Sequence, residues 1–248
     1  MKVVIPIETY KGVADGSSLT DERRQQILSV YEFVSSLGDE KLTYKSLQER
    51  VSLEDYGISS SAIRTFFPLL GKLGFVNYKD TFSACDLFTP IGKVFMETYK
   101  SLVAARELTP KNNLLIKELE KCLATTQRYG ILLMNEQQEY SHHGIWLAIA
   151  ILKREREIYW QEFLYFLYLL EVKGMSFDEA IAQVKSDRIR GVEYEYFNNE
   201  DNAIAGTSYS YTHSVLVEAG IVRDVEVNHS LLEDGLTDYL KLIDNYYE

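Results

Sequence analysis

The chain has 248 residues, 46% of them hydrophobic and 12% aromatic, which is enough for one large core or two small ones. Its formal net charge is −11, which excludes a protein whose whole surface binds phosphate, because such a surface needs concentrated Lys and Arg. A small local basic face remains compatible with this charge.

Two cysteines, Cys85 and Cys122, lie far apart and form no CxxC or Cys/His cluster. We therefore expect no metal and no cofactor, and a reduced, cytoplasmic setting. The N-terminal stretch MKVVIPIETY contains an apolar run that is too short for a signal peptide or a membrane span, so we expect no membrane partner.

The first half of the chain predicts three helices and a hairpin. Helical periodicity runs from Thr20, a good N-cap, to a stop at Gly38. A short helix through Val51 follows, and a third helix starts within Ser59–Ser61 and ends before Gly74. Pro68 lies inside this third segment, so either the first turn of the helix ends before Pro68 or the helix is kinked there. Then come the strand Phe75–Tyr78, the returning strand Leu87–Thr89, and a helix that starts at Pro90.

The second half repeats this order. It predicts a helix over Trp160–Lys173, a short helix capped by Ser176, a third helix over Ser208–Ala219, a strand over Ile221–Val225 and a last helix over Leu231–Tyr246. A polar stretch at about 189–206 is expected to be a loop. Two anchors align the halves: Lys41–Thr43 with Gly174–Ser176, and Leu73–Val76 with Ala219–Val222.

A helix, a short helix, a helix and a hairpin are the elements of a winged helix. The predicted fold is therefore mainly α with small β wings, in which two winged helix-turn-helix domains are joined by a helical connector. We expect an N-terminal arm and first domain over 1–107, the connector over 108–157 and the second domain over 158–248.

Candidate catalytic groups are few. Glu171-Val172-Lys173 spells the E-x-K of a metal-dependent nuclease motif, but that motif needs its Glu on a strand, and this triplet ends an apolar helix. His142-His143 is the only histidine pair, and adjacent side chains diverge, so a surface loop is expected there. We find no phosphate-loop, dinucleotide or hydrolase motif and predict no catalytic site.

The nucleic-acid hypothesis depends on the front ends of the two third helices, which in such folds enter the major groove. Ser, Thr and Tyr hydroxyls contact phosphate well but discriminate bases poorly, whereas arginine reads guanine. Arg64 is thus the best base-reading candidate. Structural roles compete, because several of the serines can simply be helix caps. The candidate DNA-binding residues are Ser59, Ser60, Ser61, Arg64, Thr65, Lys45, Lys79, Ser208, Tyr209, Ser210, Thr212 and His213.

Three segments resemble the recognition region of type IIS restriction endonucleases and nicking enzymes of the AlwI and FokI kind. They are Leu87–Lys93, which resembles a wing-to-helix L-T-x-x-G-K step, Trp146–Lys153 leading into Phe163–Leu170, and Ser208–Val222. The resemblance covers roughly 20–246. It implies winged helices that read an asymmetric site, while a separate C-terminal nuclease domain cuts. The chain ends at Glu248, where that nuclease would begin, so we expect either that any cleavage needs a partner or that this chain is a recognition fragment of a larger enzyme.

Two main functions follow as expectations. The first is a DNA-binding, sequence-recognition protein or subunit that binds double-stranded DNA, from a restriction-modification or phage-defence system, with no catalytic site of its own. The alternative is an acidic tandem winged-helix subunit that binds proteins in a chromosome-organising or defence complex. Net charge and the 18 tyrosines motivate the alternative.

Overall fold

The computed structural model describes residues 2–6, 18–53, 58, 60–77, 80–108, 113–136, 143–195 and 199–243. It is mainly helical with small sheets, which confirms the coarse fold class. Within the described ranges, no helix has the length and apolar character needed to cross a bilayer.

The chain divides into two compact units. The N-terminal unit comprises 16–140 together with 218–220, and the C-terminal unit comprises 1–15, 141–217 and 221–248. This division differs from the expected boundaries at 107 and 157, because the expected connector is shared between the two units. The formal charge is uneven. The N-terminal unit has 15 basic and 17 acidic residues, a net −2, whereas the C-terminal unit has 11 and 20, a net −9.

The N-terminal unit contains five helices and a small sheet among its described residues. In chain order these are α1 (Asp21–Ser36), β2 (Lys41–Thr43), α2 (Tyr44–Leu53), α3 (Ser60–Lys72), β3 (Thr81–Ser83), a 3₁₀ turn (Ala84–Asp86), α4 (Pro90–Leu108) and α5 (Asn113–Glu136).

Local sequence signals explain several of these boundaries. The Thr20 hydroxyl accepts from the Arg23 amide and caps α1, as predicted. The helix α3 starts within the expected Ser59–Ser61 and continues through Pro68 to Lys72. Its predicted apolar face is buried, namely Ile63, Phe66, Phe67, Leu70 and Leu73.

A hairpin follows α3. Val76 bridges Phe88 in antiparallel fashion, as the predicted strands require, and β3 pairs with β2 in register Leu42 to Phe82. The next helix, α4, packs closely against this hairpin. A Cβ atom placed on Gly92 of α4 would lie 1.9 Å from the Phe75 carbonyl oxygen, so only glycine fits there.

The C-terminal unit contains two small sheets and the remaining helices. Its elements are β1 (Lys2–Val4), α6 (His143–Glu155), β4 (Glu157–Tyr159), α7 (Trp160–Leu167) continued by a π-helical turn (Tyr168–Val172), α8 (Phe177–Ile189), β5 (Glu193–Glu195), α9 (Asn199–Glu218), β6 (Val222–Glu226), β7 (His229–Leu232) and α10 (Thr237–Lys241). The strand β1 pairs in parallel with β5, and a three-stranded sheet has the order β4-β7-β6.

The hydrogen bonds at the start of each hairpin are the same in the two units. The Phe75 amide donates to the Leu70 carbonyl at 2.8 Å, and the Ile221 amide donates to the Leu216 carbonyl at 2.8 Å. Both turns contain a glycine with positive φ, 69° at Gly74 and 58° at Gly220, which is how a helix commonly ends.

The returning strands also correspond. The Thr89 amide donates to the Phe75 carbonyl at 3.1 Å, and the Glu233 amide donates to the Ile221 carbonyl at 2.9 Å. Val222 accordingly pairs with Leu232, just as Val76 pairs with Phe88. The second anchor of the predicted repeat therefore has a structural counterpart in each unit.

The first anchor is wrong. Gly174–Ser176 is not a strand, and Ser176 instead caps α8 through a reciprocal bond with Glu179. The counterpart of β2 is β4, because each strand runs directly into a helix and pairs with a strand that follows the third helix. The alignment of the two halves missed β4 because a strand of three residues has almost no periodic pattern in its sequence.

Two further expectations in this unit are wrong. The helix before Gly220 starts at Asn199 instead of Ser208, so part of the expected polar loop is helical, and alanines in that stretch favour helix. In its described part, up to residue 243, the predicted helix Leu231–Tyr246 is replaced by β7 and the short α10. The exposed edge of β6 needs a pairing strand, and β7 supplies it through a turn in which Asn228 has φ of 60°.

Candidate functional site

The predicted DNA-reading surface of the N-terminal unit lies on α3. Arg64 is exposed in the second turn of this helix, and it forms no ion pair with any residue that the structure describes. Thr65, beside it, is half-buried. Ser59 and Lys79 lie outside the described residues, and the side chains of Ser60 and Ser61 are also outside them. Among the candidate residues of α3 whose side chains the structure describes, Arg64 is therefore the one that is exposed and accessible to a ligand.

The cations on α2 are partly compensated. Lys45 is exposed, with its Nζ atom 3.8 Å from Glu49 Oε1, a loose surface pair. Arg50 donates to Glu40 Oε1 at 2.5 Å and stacks over Phe33 at 5.4 Å, so its side chain serves the fold. Lys45 and Arg64 thus remain as the exposed cations of the α2–α3 surface.

The predicted DNA-reading residues of the C-terminal unit do not stand at the front of a helix. Because α9 begins at Asn199, the run from Ser208 to His213 starts more than two turns into the helix. Thr212 is 0% exposed, so its assignment to a DNA contact is wrong. Tyr209 and Ser210 are half-buried, and the side chain of Ser208 lies outside the described residues.

His213 takes part in an internal polar chain. Its Nε2 atom lies 2.8 Å from Asp224 Oδ1, and the Ser230 hydroxyl donates to the same oxygen at 2.6 Å. The buried Trp160 indole N–H donates to the Ser230 hydroxyl at 2.8 Å. Partial burial opposes ionisation of Asp224, but the hydrogen bonds from Ser230 and His213 outweigh it and lower the pKa of Asp224.

This series of hydrogen-bonded side chains connects α7, α9, β6 and β7. It accounts for the position of His213 without a bound ligand. The arrangement is not that of a nucleophilic triad, since the carboxylate lies between the hydroxyl and the imidazole. The series gives the buried N–H of the Trp160 indole a hydrogen-bond acceptor in the core.

A cavity of about 720 Å³ opens in the C-terminal unit. Its wall combines aromatic rings, carboxylates and amides from β4, the start of α7, the end of α8, β5, α9 and the β6–β7 turn. The lining residues are Tyr159, Gln161, Glu162, Arg188, Val192, Glu193, Tyr194, Glu195, Tyr209, Val227 and Asn228.

The one arginine in this wall is held by acidic side chains. Arg188 donates to both oxygens of Glu162, at 2.8 and 2.6 Å, and lies 3.6 Å from Glu157. Glu157 also bonds His229, at 3.1 Å. The ring of Tyr159 lies between Arg188, 3.9 Å from its centroid, and His229, whose ring is 4.0 Å away and nearly parallel. Two groups this close to one centroid must occupy opposite faces.

Sequence reasoning missed this cavity, apart from Tyr209, which it assigned to DNA. The lining positions come from six separate elements between residues 159 and 228 and follow no periodic spacing. No single-sequence pattern would have gathered them.

The residues considered for catalysis do not form a recognisable catalytic site within the described part of the chain. Glu171 lies in the π-helical turn, and the Lys173 ammonium sits 5.3 Å from the Tyr168 ring, with neither residue on a strand. His142 lies outside the described residues, and His143 begins α6. Among the described residues no three His, Cys, Asp or Glu side chains are grouped to hold a metal ion.

Comparisons with protein-family models, with curated proteins and with solved structures gave no match to this chain.

Proposed function

We propose that this protein binds double-stranded DNA through the α2–α3 surface of its N-terminal unit. The observation that carries the proposal is Arg64, exposed and without an ion pair among the described residues, on the helix that precedes the hairpin. An arginine in this position is the side chain best suited to a guanine edge in the major groove.

The proposal includes a winged-helix identity for both units. Its support is the element order helix, strand, helix, helix, hairpin, which occurs as α1-β2-α2-α3-hairpin and, with α8 and β5 inserted, as α6-β4-α7-α9-β6-β7. The matching hydrogen bonds at Phe75 and Ile221 add to this support. In a winged helix the third helix is the one that enters the groove.

The uneven charge favours the N-terminal unit as the DNA-binding one. Its net charge is −2, against −9 for the C-terminal unit, and phosphate repels the more acidic surface. Acidic residues at the start of α9, Glu200 and Asp201, also argue against DNA contact there. An acidic second unit would restrict DNA to the first.

The resemblance to type IIS recognition regions extends the proposal to sequence-specific reading within a restriction or phage-defence system. In that arrangement this chain selects the site and another domain or protein cuts. The exposed Arg64 supplies a base-reading group, and Lys45 supplies a phosphate contact.

The test is a binding titration of the full chain against a random duplex pool at low salt, followed by selection of preferred sequences. Arg64→Ala should weaken binding to the selected site about 5- to 150-fold and relax specificity at one position. Lys45→Ala should weaken all sequences alike and reduce the salt slope by about 1.

The matched control is Lys117→Ala, which removes an exposed positive charge from α5 of the same unit. It should leave affinity and specificity unchanged. If Lys117→Ala weakens binding as much as Arg64→Ala does, the loss of affinity comes from the reduced positive charge in general and not from a contact made by Arg64. If folded protein binds no duplex at low salt, the proposed function is wrong.

A protein-interaction role is the second candidate, and the net −9 of the C-terminal unit favours it. Under this role the winged helices dimerise or bind a partner protein, and the acidic surface selects a basic one. A chain that is strictly monomeric by light scattering, with no copurifying protein, contradicts this role.

A further inference from the structure

The 720 Å³ cavity of the C-terminal unit is independent of the α2–α3 surface, and the proposed DNA binding does not use it. We name it the tyrosine–glutamate cavity, after Tyr159, Tyr194 and Tyr209 and Glu162, Glu193 and Glu195 in its wall. We propose that this cavity binds a ligand that presents an ammonium or guanidinium group.

The charge of the wall supports a cation. Three carboxylates face one guanidinium, and that guanidinium belongs to Arg188, which Glu162 and Glu157 already bind. An anion would therefore meet net negative charge with no available counter-charge. Of the two remaining carboxylates, Glu195 pairs with Lys2. Glu193 is exposed and, beyond a longer-range attraction to the same Lys2, has no ion pair among the described residues.

The aromatic groups support the same ligand. Both faces of Tyr159 are covered, so this ring is a fixed wall. Tyr209 is half-buried and has no ring contact with any residue in the described ranges, which leaves its face available to a cation. A tyrosine ring next to carboxylates is the usual environment for a bound ammonium or guanidinium.

An unsatisfied polar atom also points to a missing partner. The Tyr194 hydroxyl oxygen is buried, and no group in the described part of the chain bonds to it. Burial raises the pKa of Tyr194, with the nearby Glu162 and Asp187 adding to the effect, so the hydroxyl stays protonated. This oxygen is not exposed to the open cavity, so a ligand N–H would satisfy it only after neighbouring side chains of the wall move.

Such a cation comes either from a free amine or from a basic side chain of another protein. Two probes separate these sources: spermidine, and a short Gly-Arg-Gly peptide with blocked ends. Each is titrated into the full chain by calorimetry at low salt. Binding of spermidine alone indicates a small amine, and binding of the peptide indicates a protein side chain.

Variants then locate the site. Glu193→Gln should weaken the probe that binds about three- to fivefold, since it removes one nearby charge without changing shape. Tyr209→Leu should weaken it by a similar factor, whereas Tyr209→Phe, which keeps the ring, should not.

The control is Glu171→Gln, which removes an exposed carboxylate from the same unit outside the cavity. It should leave both titrations unchanged. The proposal is overturned if neither probe binds, if Glu171→Gln weakens binding as much as Glu193→Gln, or if Tyr209→Leu has no effect. Far-UV circular dichroism of each variant confirms that it is folded.

Discussion

Gly92 offers the sharpest test of how the N-terminal unit is packed. It lies in the first turn of α4, where an alanine would ordinarily stabilise a helix by about 1 kcal/mol over glycine. In this structure the added Cβ would sit 1.9 Å from the Phe75 carbonyl oxygen and 2.8 Å from its carbon. Ordinary contacts begin near 3.4 Å, so the backbone must separate by about 1.5 Å.

Moving the backbone of α4 away from Phe75 also disturbs the strand pairing of the hairpin. The Phe75 carbonyl accepts the Thr89 amide that closes the strand pair, so moving α4 away from Phe75 also strains this bond. Overpacking of this kind costs typically 1–3 kcal/mol, and a contact with backbone relaxes less easily than one with a side chain. Because this contact is with backbone, we take the upper end of that range and expect Gly92→Ala to destabilise the N-terminal unit by about 2 kcal/mol after the helix-propensity gain.

Urea unfolding measures this effect unit by unit. Both tryptophans, Trp146 and Trp160, lie in the C-terminal unit, so their fluorescence follows that unit, whereas far-UV circular dichroism follows both. Gly92→Ala should shift the dichroism transition to lower urea. Gly130→Ala, whose nearest contact is 3.0 Å, is the graded comparison and should cost less. A Gly92→Ala protein as stable as the original would refute the packing argument.

Two further predictions concern the polar chain around Trp160. Ser230→Ala should cost about 1–3 kcal/mol, because it leaves the buried indole N–H without an acceptor, and urea unfolding followed by tryptophan fluorescence measures this. An unchanged midpoint would contradict the hydrogen bond. For Asp224, the folded pKa is lowered, so its contribution to stability is present above the ordinary value of 3.8 and is lost as pH falls through the lowered folded value. Asp224→Asn should therefore flatten the acid limb of a stability–pH curve, and a curve identical to that of the original protein would contradict the assignment.

The sequence predicted best where local chemistry decides the outcome. The cap at Thr20, the glycines at 74 and 220 and the buried face of α3 follow from side chains within a few residues of one another. The same holds for the Val76–Phe88 bridge after α3, between two apolar segments, although the strand β3 lying between them was not predicted. The position of Arg64 near the start of α3 was also expected, whereas its DNA-reading role stays a prediction.

Prediction from the sequence failed where pairing with a strand far along the chain determines the secondary structure. Leu231 and Leu232, the start of a predicted helix, became part of β7 because β6 and β4 both needed a pairing strand, and β7 lies between them. The parallel pair of β1 with β5 joins positions about 190 residues apart, beyond any periodic pattern.

The sequence by itself determined the cap at Thr20, the glycine turns at 74 and 220 and the apolar face of α3, since these depend on neighbouring residues alone. Tertiary structure decided that Thr212 is buried, that Arg188 is held by two carboxylates, and that three tyrosines line one cavity. The physical reason is that burial and ion pairing depend on which elements meet, and chain folding brings together side chains whose separation in sequence carries no information about that meeting.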